Sequence, residues 1–270
     1  EINALKKISR NKINNKTVMY ISLEPCFKKS SCCAKAIVKA GIKKVFISSL
    51  DPNPNIKGKG IDFLKKQKIK VFHSLKSTDR FKIINKFFYT RKTLNRPFIT
   101  LKIAISKNGF SKSPTHKNIT SDQTQYFMHQ LRLSHDAIAV GMNTAIDDKP
   151  KLTCRLQGVS KNIAKLIFSN KEIKFKNYKL IIVDYKKTVT KNFSLFKKLK
   201  TQSILIEGGL NTFKYFLNCN LFDEVIVCQS NMTIKNASKK YFLSMKSITN
   251  NLILKSSLKY GEDMIYKFTN

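Results

Sequence analysis

The chain has 270 residues, 42% of them hydrophobic, and a formal net charge of +36. That length and apolar content can fill the core of one large domain or of two ordinary ones, and no stretch approaches the roughly 20 apolar residues of a membrane helix. Charge of this size invites a nucleic-acid partner, but only six basic residues are arginine: Arg10, Arg80, Arg91, Arg96, Arg132 and Arg155. The lysines are spread evenly among Asn and Ile, not clustered with aromatics, so the expectation is a solvated basic surface that favours phosphorylated small substrates. No specific nucleic-acid site and no membrane contact are expected. The chain opens on Glu1 without Met and without a charged-then-apolar leader, which reads as a fragment of a longer chain. Cys26, Cys32 and Cys33 cluster, while Cys154, Cys219 and Cys228 are scattered as buried thiols would be, so a reducing, cytoplasmic compartment is expected.

In chain order, Ile2, Leu5 and Ile8 stand at near-helical spacing and predict a helix over residues 1–10. A short strand follows from Val18 to Leu23, then the run Leu23-Glu24-Pro25-Cys26. Cys33 to Ala40 reads as a helix closed by Gly41, Lys43 to Ser48 as a strand, and Asp51-Pro52-Asn53-Pro54 as a turn cluster. A short helix over 60–66 and a strand over 69–72 complete an alternation that predicts an α/β layer with parallel pairing. Lys76 to Arg91 reads as one basic helix, and residues 93–97 as a domain junction.

A Pro-Cys turn followed by a cysteine that opens a helix is half of a zinc site of the deaminase type, with two thiolates supplied by the protein. In that pattern His-x-Glu lies upstream, with the Glu shuttling protons and not ligating metal. Glu1 stands where that shuttle would stand, and the histidine position falls just before the first residue. Cys26 is one thiol; Cys33 is preferred as the second because Ala34 and Ile37 then fall in register, with Cys32 beside it as the alternative.

The runs LEPC, CAKAIVKAGIKKVFIS and DPNPNIKGKGIDFL, in that order, are similar to the deaminase domain of the bifunctional riboflavin-biosynthesis deaminase/reductases. The resemblance implies a cytidine-deaminase-like three-layer domain over residues 1–92. It also implies zinc held by Cys26 and Cys33, catalysis by Glu1, and hydrolytic release of ammonia from a pyrimidinone. The loop between the cysteines, FKKSSC, is shorter than the family's.

From residue 97 the pattern becomes a larger α/β segment with a β-rich end. Phe98 to Ser106 reads as a buried strand, Thr120 and Ser121 cap a helix to about Ser134, and 136–141 is a strand before the turn Asp147-Asp148-Lys149-Pro150. Further strands are expected at 164–168, 179–184, 203–206, 224–228, 252–257 and 263–268, with Gly208-Gly209 opening a helix to Leu217. Glycines after a strand and before a helix let backbone N–H groups approach a phosphate at the positive helix end. The arginines retained at 132 and 155 in a lysine-saturated chain suit phosphate, because a guanidinium fork binds it in a way an ammonium does not. His129 and His135 read as ordinary polar positions.

RPFITLKIAIS, NITS, LRLSHDAIAVGMNTAIDDKPKLTCRL and ILIEGGLNTFKYFL resemble the pyrimidine reductase domain of the same family, which has a dihydrofolate-reductase-like fold. Over residues 97–270 the resemblance implies NADPH contacts at Ala104, Thr144, Asp148 and Gly209, and substrate contacts at Arg132, Leu152, Arg155 and Glu207. It leaves room for a homo-oligomer assembled through this domain. Departures from the family pattern stand at Asn108, His116 and Asn118. Rival readings are a working reductase beside a decayed deaminase half, a nucleic-acid base deaminase with an accessory domain, and a non-catalytic remnant that binds neither zinc nor NADPH.

Overall fold

A computed structural model of the chain describes residues 1–8, 12–27, 32–172, 178–182 and 193–270. They divide into two compact units, Glu1–Asn95 and Arg96–Asn270.

The first unit runs α1 (Ile2–Lys6), β1 (Val18–Ile21), α2 (Cys33–Lys39), β2 (Lys44–Ile47), α3 (Lys59–Lys66), β3 (Lys70–His73), α4 (Leu75–Ile84) and α5 (Lys86–Leu94). The three strands pair in parallel in the order β1-β2-β3, because each is joined to the next through a crossover helix. Ala34 and Ile37 of α2 and Ile61 and Leu64 of α3 bury against Ile21, Val45, Ile47 and Ile69. Gly41, at φ +80°, closes α2 in the left-handed conformation that a side chain resists. The single helix expected over 76–91 is two helices. Asn85 turns non-helical between them and its amide donates to the Phe81 carbonyl (3.2 Å), the backbone competition that makes Asn a helix breaker. Residues 9–10 of the first predicted helix and most of the FKKSSC loop lie outside the described residues.

The second unit contains β4 (Phe98–Ile105), α6 (Asp122–Ser134), β5 (Ala137–Gly141), α7 (Met142–Asp147), β6 (Ala164–Ser169), β7 (Lys179–Ile182) and α8 (Ser194–Lys197), then β8 (Ser203–Ile206), α9 (Leu210–Asn218), β9 (Glu224–Gln229), α10 (Met245–Thr249), β10 (Ile253–Tyr260) and β11 (Asp263–Thr269). These strands form one sheet in the order β10-β11-β9-β4-β8-β5-β6-β7, parallel from β9 to β7 and antiparallel at the β11 and β10 end. Positions 183–184 of the strand expected over 179–184 lie outside the described residues; α7, which ends where the turn read at Asp147–Pro150 begins, is an added helix.

Period-two alternation in β4 sorts its two faces. Ile99, Leu101, Ile103 and Ile105 bury with Phe213 and Phe216 of α9, whereas Ala104 on the opposite face packs with Met128 of α6. The helix that follows β4 and the helix that follows β8 therefore cover opposite faces, although the two strands are neighbours. In an open parallel sheet such a divergence leaves a crevice at the carboxyl ends of the strands, and the chain places Glu207, Gly208 and Gly209 there, directly after β8. Ser121 starts α6 by accepting from the Thr124 N–H, as the sequence predicts.

Candidate active sites

In the first unit, β1 ends in the Glu24-Pro25-Cys26 turn, and α2 begins opposite it. The Ala34 N–H donates to the Cys26 carbonyl (3.1 Å) and the Cys33 N–H points at the Cys26 sulfur (3.5 Å), so the open N-terminus of α2 grips the cysteine turn. Burial pushes the Cys33 thiol up to about 12, helped by hydrogen bonding and charge from Glu1 and then from Cys26. Glu1, Cys26 and Cys33 thus share one locus although they span 33 positions of sequence. A dication held among them would oppose that upward push, since its own positive charge favours the thiolate. Cys32 faces the other way: it is buried in the apolar core with Ala34 and Ile37. Among the described residues no group of three His, Cys, Asp or Glu side chains has the geometry to hold a metal. The donor set fits zinc as two of its ligands, Cys26 and Cys33.

In the second unit, Glu207 continues β8 by donating its N–H to the Ala139 carbonyl (2.9 Å). Its carboxylate receives a fork from Arg132 of α6: Nε to Oε1 at 2.7 Å and Nη2 to Oε2 at 2.6 Å, while Nη1 donates to the Thr153 carbonyl at 3.2 Å. Burial pushes the Glu207 carboxyl up, but the Arg132 hydrogen bonds and the charges of Lys102, Arg132 and His129 outweigh it and hold the group below the usual carboxylate range. For Arg132 burial works against the charged form and the Glu207 contact more than restores it. His129, one turn earlier on α6, is held below the usual imidazole range by burial and by Arg132 and Arg155. Its Nδ1 accepts the Arg155 N–H (3.2 Å), and the Cys154 thiol donates to its carbonyl (3.5 Å).

The Gly209 N–H donates to Thr144 Oγ1 (3.1 Å), tying the start of α9 to α7. Both glycines are sterically required: a Cβ on Gly209 would stand 2.7 Å from Thr144 Oγ1, and one on Gly208 would stand 2.7 Å from the Thr212 Cβ. Thr144 with Gly209, and Arg132 with Glu207, are therefore brought into contact as the sequence reading grouped them. Other candidates are placed differently. Arg132, expected to offer its fork to a phosphate, spends it on Glu207. Arg155 is exposed. Leu152 is buried with Ile138, Val140 and Ile167, in a left-handed backbone at φ +45°, so its side chain belongs to the core. Asp148 is exposed, with Lys112 at 3.7 Å. Ala104 packs with Met128, Ile226 and Cys228. One residue went unread, and one was read as merely polar. Lys102, two positions before Ala104 on the same face of β4, lies near enough to act on Glu207; a lone lysine inside an otherwise apolar strand was the available signal. His129 is part of this cluster, whereas His135 is structural, bonding the Leu131 carbonyl (2.8 Å) and Thr100 Oγ1 (2.9 Å).

The family description "RibD C-terminal domain" matches residues 97–266, and "Cytidine and deoxycytidylate deaminase zinc-binding region" matches residues 1–49. The chain belongs to the RibD family. It is 31% identical to the riboflavin biosynthesis protein RibD of Buchnera aphidicola over 90% of this chain and 77% of that one. It is 29% identical to that of Aquifex aeolicus over 93% and 80%. A Thermotoga maritima structure, named as a diaminohydroxyphosphoribosylaminopyrimidine deaminase/5-amino-6-(5-phosphoribosylamino)uracil reductase, superimposes with a TM-score of 0.75 at 25% identity, covering 92% of this chain and 78% of that one. An Acinetobacter baumannii RibD structure gives the same TM-score at 22% identity and shares the fold. RibD membership accounts for the pairing of a deaminase-type thiol turn with a reductase-type sheet in one chain, and it places this protein in riboflavin biosynthesis with deaminase and reductase functions. No described helix is long and apolar enough to cross a membrane.

Proposed function

We propose that the first unit deaminates a diaminopyrimidinone ribosylamino phosphate with zinc, and that the second reduces the ribose of the deaminated product to a ribityl chain with NADPH. The Thermotoga relative carries both activities in its name, which supports the same division of work here. Zinc, when bound, acidifies a water for attack on the amino-bearing carbon. Cys26 and Cys33 would hold the metal; Glu1, beside Cys33, would take a proton from the attacking water and return one to the departing amine.

NADPH, when bound, supplies the hydride. The residues of the second unit would bind and orient. The N-terminus of α9, set by the Gly209–Thr144 contact, would present its positive end to a pyrophosphate. Ala104 and Asp148 would line the cofactor side, and Leu152 would meet the substrate through its backbone alone. Arg155, exposed beside the His129–Arg132 cluster, would take the substrate phosphate. Glu207, kept ionised by Arg132 and Lys102, would accept hydrogen bonds from the substrate.

The observation that carries this reading is the convergence of the Gly209–Thr144 turn and the Glu207–Arg132 pair at the carboxyl ends of neighbouring parallel strands. The test is NADPH oxidation with the deaminated substrate, followed by absorbance, alongside zinc content and ammonia release with the aminated one. Reductase turnover without zinc or ammonia would favour a decayed deaminase half. A folded protein with neither activity would defeat the proposal.

A further inference from the structure

Glu24 sits immediately before the Pro25-Cys26 turn and is only 3% exposed. No lysine, arginine or histidine is bonded to it among the described residues; its partners are four backbone amides. Oε2 accepts from Asp51 (3.1 Å) and Gly58 (2.9 Å), and Oε1 accepts from Gly60 (2.8 Å) and Ile61 (3.3 Å). Three of these amides belong to the start of α3, whose N-cap residue is Gly58 and has no side chain with which to cap. Glu24 provides that cap from a distance of more than thirty positions in sequence. A carboxylate suits the place because it accepts through both oxygens and favours the positive end of a helix.

The same contacts fix the loop between β2 and α3. Its interior is already ordered by two successive side-chain turns, Asn53 N–H to Asp51 Oδ1 (2.8 Å) and Asn55 N–H to Asn53 Oδ1 (3.0 Å), with Pro52 and Pro54 between them. Glu24 then clamps both ends of this stiff loop, at Asp51 and at Gly58 to Ile61. Gly60 lets the clamp close: a Cβ there would run into the Pro25 carbonyl oxygen and press on the Glu24 side chain at 3.2 Å. The Glu24 N–H completes the tie by donating to the Ser49 carbonyl (2.8 Å).

We infer that Glu24 is a positioning residue of the deaminase centre, holding the Asp51–Gly60 loop in register with the Cys26–Cys33 thiols so that the loop forms one wall of the substrate site. The inference rests on the deaminase reading of the first unit. Glu24 touches neither thiol and takes no part in proton transfer, so its removal moves the loop and leaves the metal ligands in place.

The test is Glu24→Gln in the zinc-loaded protein. The glutamine keeps the shape but turns an NH2 group toward backbone donors. The expected result is a KM for the aminated substrate about tenfold higher, with kcat and zinc content kept within about twofold, where a tenfold change corresponds to about 1.4 kcal/mol. Faster hydrogen exchange at the Gly58, Gly60 and Ile61 amides should accompany it, and the reductase rate should not change. Gly60→Ala, which opens the clamp without altering charge, should reproduce the KM effect. A fall in kcat with unchanged KM would mean that a fraction of the protein had unfolded and would overturn the inference, as would wild-type KM together with wild-type amide protection. If the unsubstituted protein neither retains zinc nor releases ammonia, the deaminase reading fails. That outcome overturns the positioning role as well, while the exchange data separately report whether the clamp exists.

Discussion

The two candidate sites are built on opposite plans. In the first unit the chemical groups hang at the ends of short elements: an exposed thiol, a half-buried thiol and a carboxylate on the first residue, with burial first and then Glu1 and Cys26 pushing the Cys33 thiol upward. In the second unit the charges are already neutralised within the protein. Arg132 and Glu207 are largely buried, with side chains 16% and 9% exposed, paired and hydrogen-bonded before any ligand arrives. The first plan leaves folding nearly independent of the site groups and makes them wait for a metal. The second makes the site groups part of what holds the unit together, so the same kind of substitution should cost very different amounts in the two places.

The largest difference should come from Arg132→Ala set against Cys33→Ser. Removing Arg132 strands a buried carboxylate, for which a loss of about 3–5 kcal/mol is expected, and reductase turnover should vanish with it. Cys33→Ser removes a thiol that is only partly buried, and the metal-free protein should lose less than about 1 kcal/mol while zinc retention is abolished. Urea unfolding of both variants, with zinc content and NADPH oxidation on the same preparations, measures the contrast. Similar losses of stability would show that the thiol locus is as integral to its unit as the ion pair is to the other.

A smaller effect is expected at the cofactor turn. Gly209→Ala forces Thr144 Oγ1 aside and breaks its bond from the Gly209 N–H, which should cost about 1–2 kcal/mol. NADPH affinity should weaken about tenfold, or about 1.4 kcal/mol. Thr144→Ala makes room for the new methyl group, so the double variant should cost less than the sum of the two single ones. A double-mutant cycle on NADPH affinity would detect that coupling, and strict additivity would place the glycine's role elsewhere.

Acid should separate the units as well. Glu207 and His129 both have folded-state values lowered from the ordinary ones. The stability each contributes is present above its unfolded value and is lost as pH falls toward the folded one. Loss from His129 begins as pH drops below the ordinary imidazole value of 6.5, and loss from Glu207 begins below the ordinary carboxylate value of 4.5. Unfolding of the second unit followed from pH 8 to 4 should show the earlier component, and His129→Asn should remove it while leaving the later one. Cys33 moves the other way. Its thiol, pushed up to about 12 in the absence of metal, should alkylate more slowly than free cysteine between pH 8 and 10.

These differences also explain how much the sequence revealed. The thiol turn was legible because its thiols are local: Cys26 and Cys33 are seven positions apart, and a strand, a Pro-Cys turn and a helix start can be read within one window. The choice of Cys33 over Cys32 followed from the register of Ala34 and Ile37, and the burial of Cys32 agrees with it. Most strands could be read from β-branched runs. The ion pair could be grouped only through family resemblance, since Arg132 and Glu207 are 75 positions apart and meet only once β8 has inserted between β4 and β5. No periodicity encodes such a meeting. Lys102 and His129 were passed over for the same reason: each is a single polar residue whose role depends on what the opposite element brings. Glu24 lay within the recognised run, but the amides it binds are 27 to 37 positions away.

The smallest effect on folding, and the sharpest on recognition, should come from Arg155. Its guanidinium is exposed and its link to the cluster runs through its own backbone N–H to His129. Arg155→Ala keeps that link, so stability should stay within about 0.5 kcal/mol of the parent. If Arg155 takes the substrate phosphate, the reductase KM should rise about tenfold or more while kcat at saturation stays close to the parent value, the pattern of lost uniform binding. Arg155→Lys should recover only part of the loss, because an ammonium cannot reproduce a forked contact with phosphate. The substrate lacking its phosphate provides the control: for it, parent and variant should have the same KM. A variant that weakened both substrates equally would mean that Arg155 shapes the 153–155 segment beneath His129, and the phosphate would then have to be sought at the lysines around the crevice.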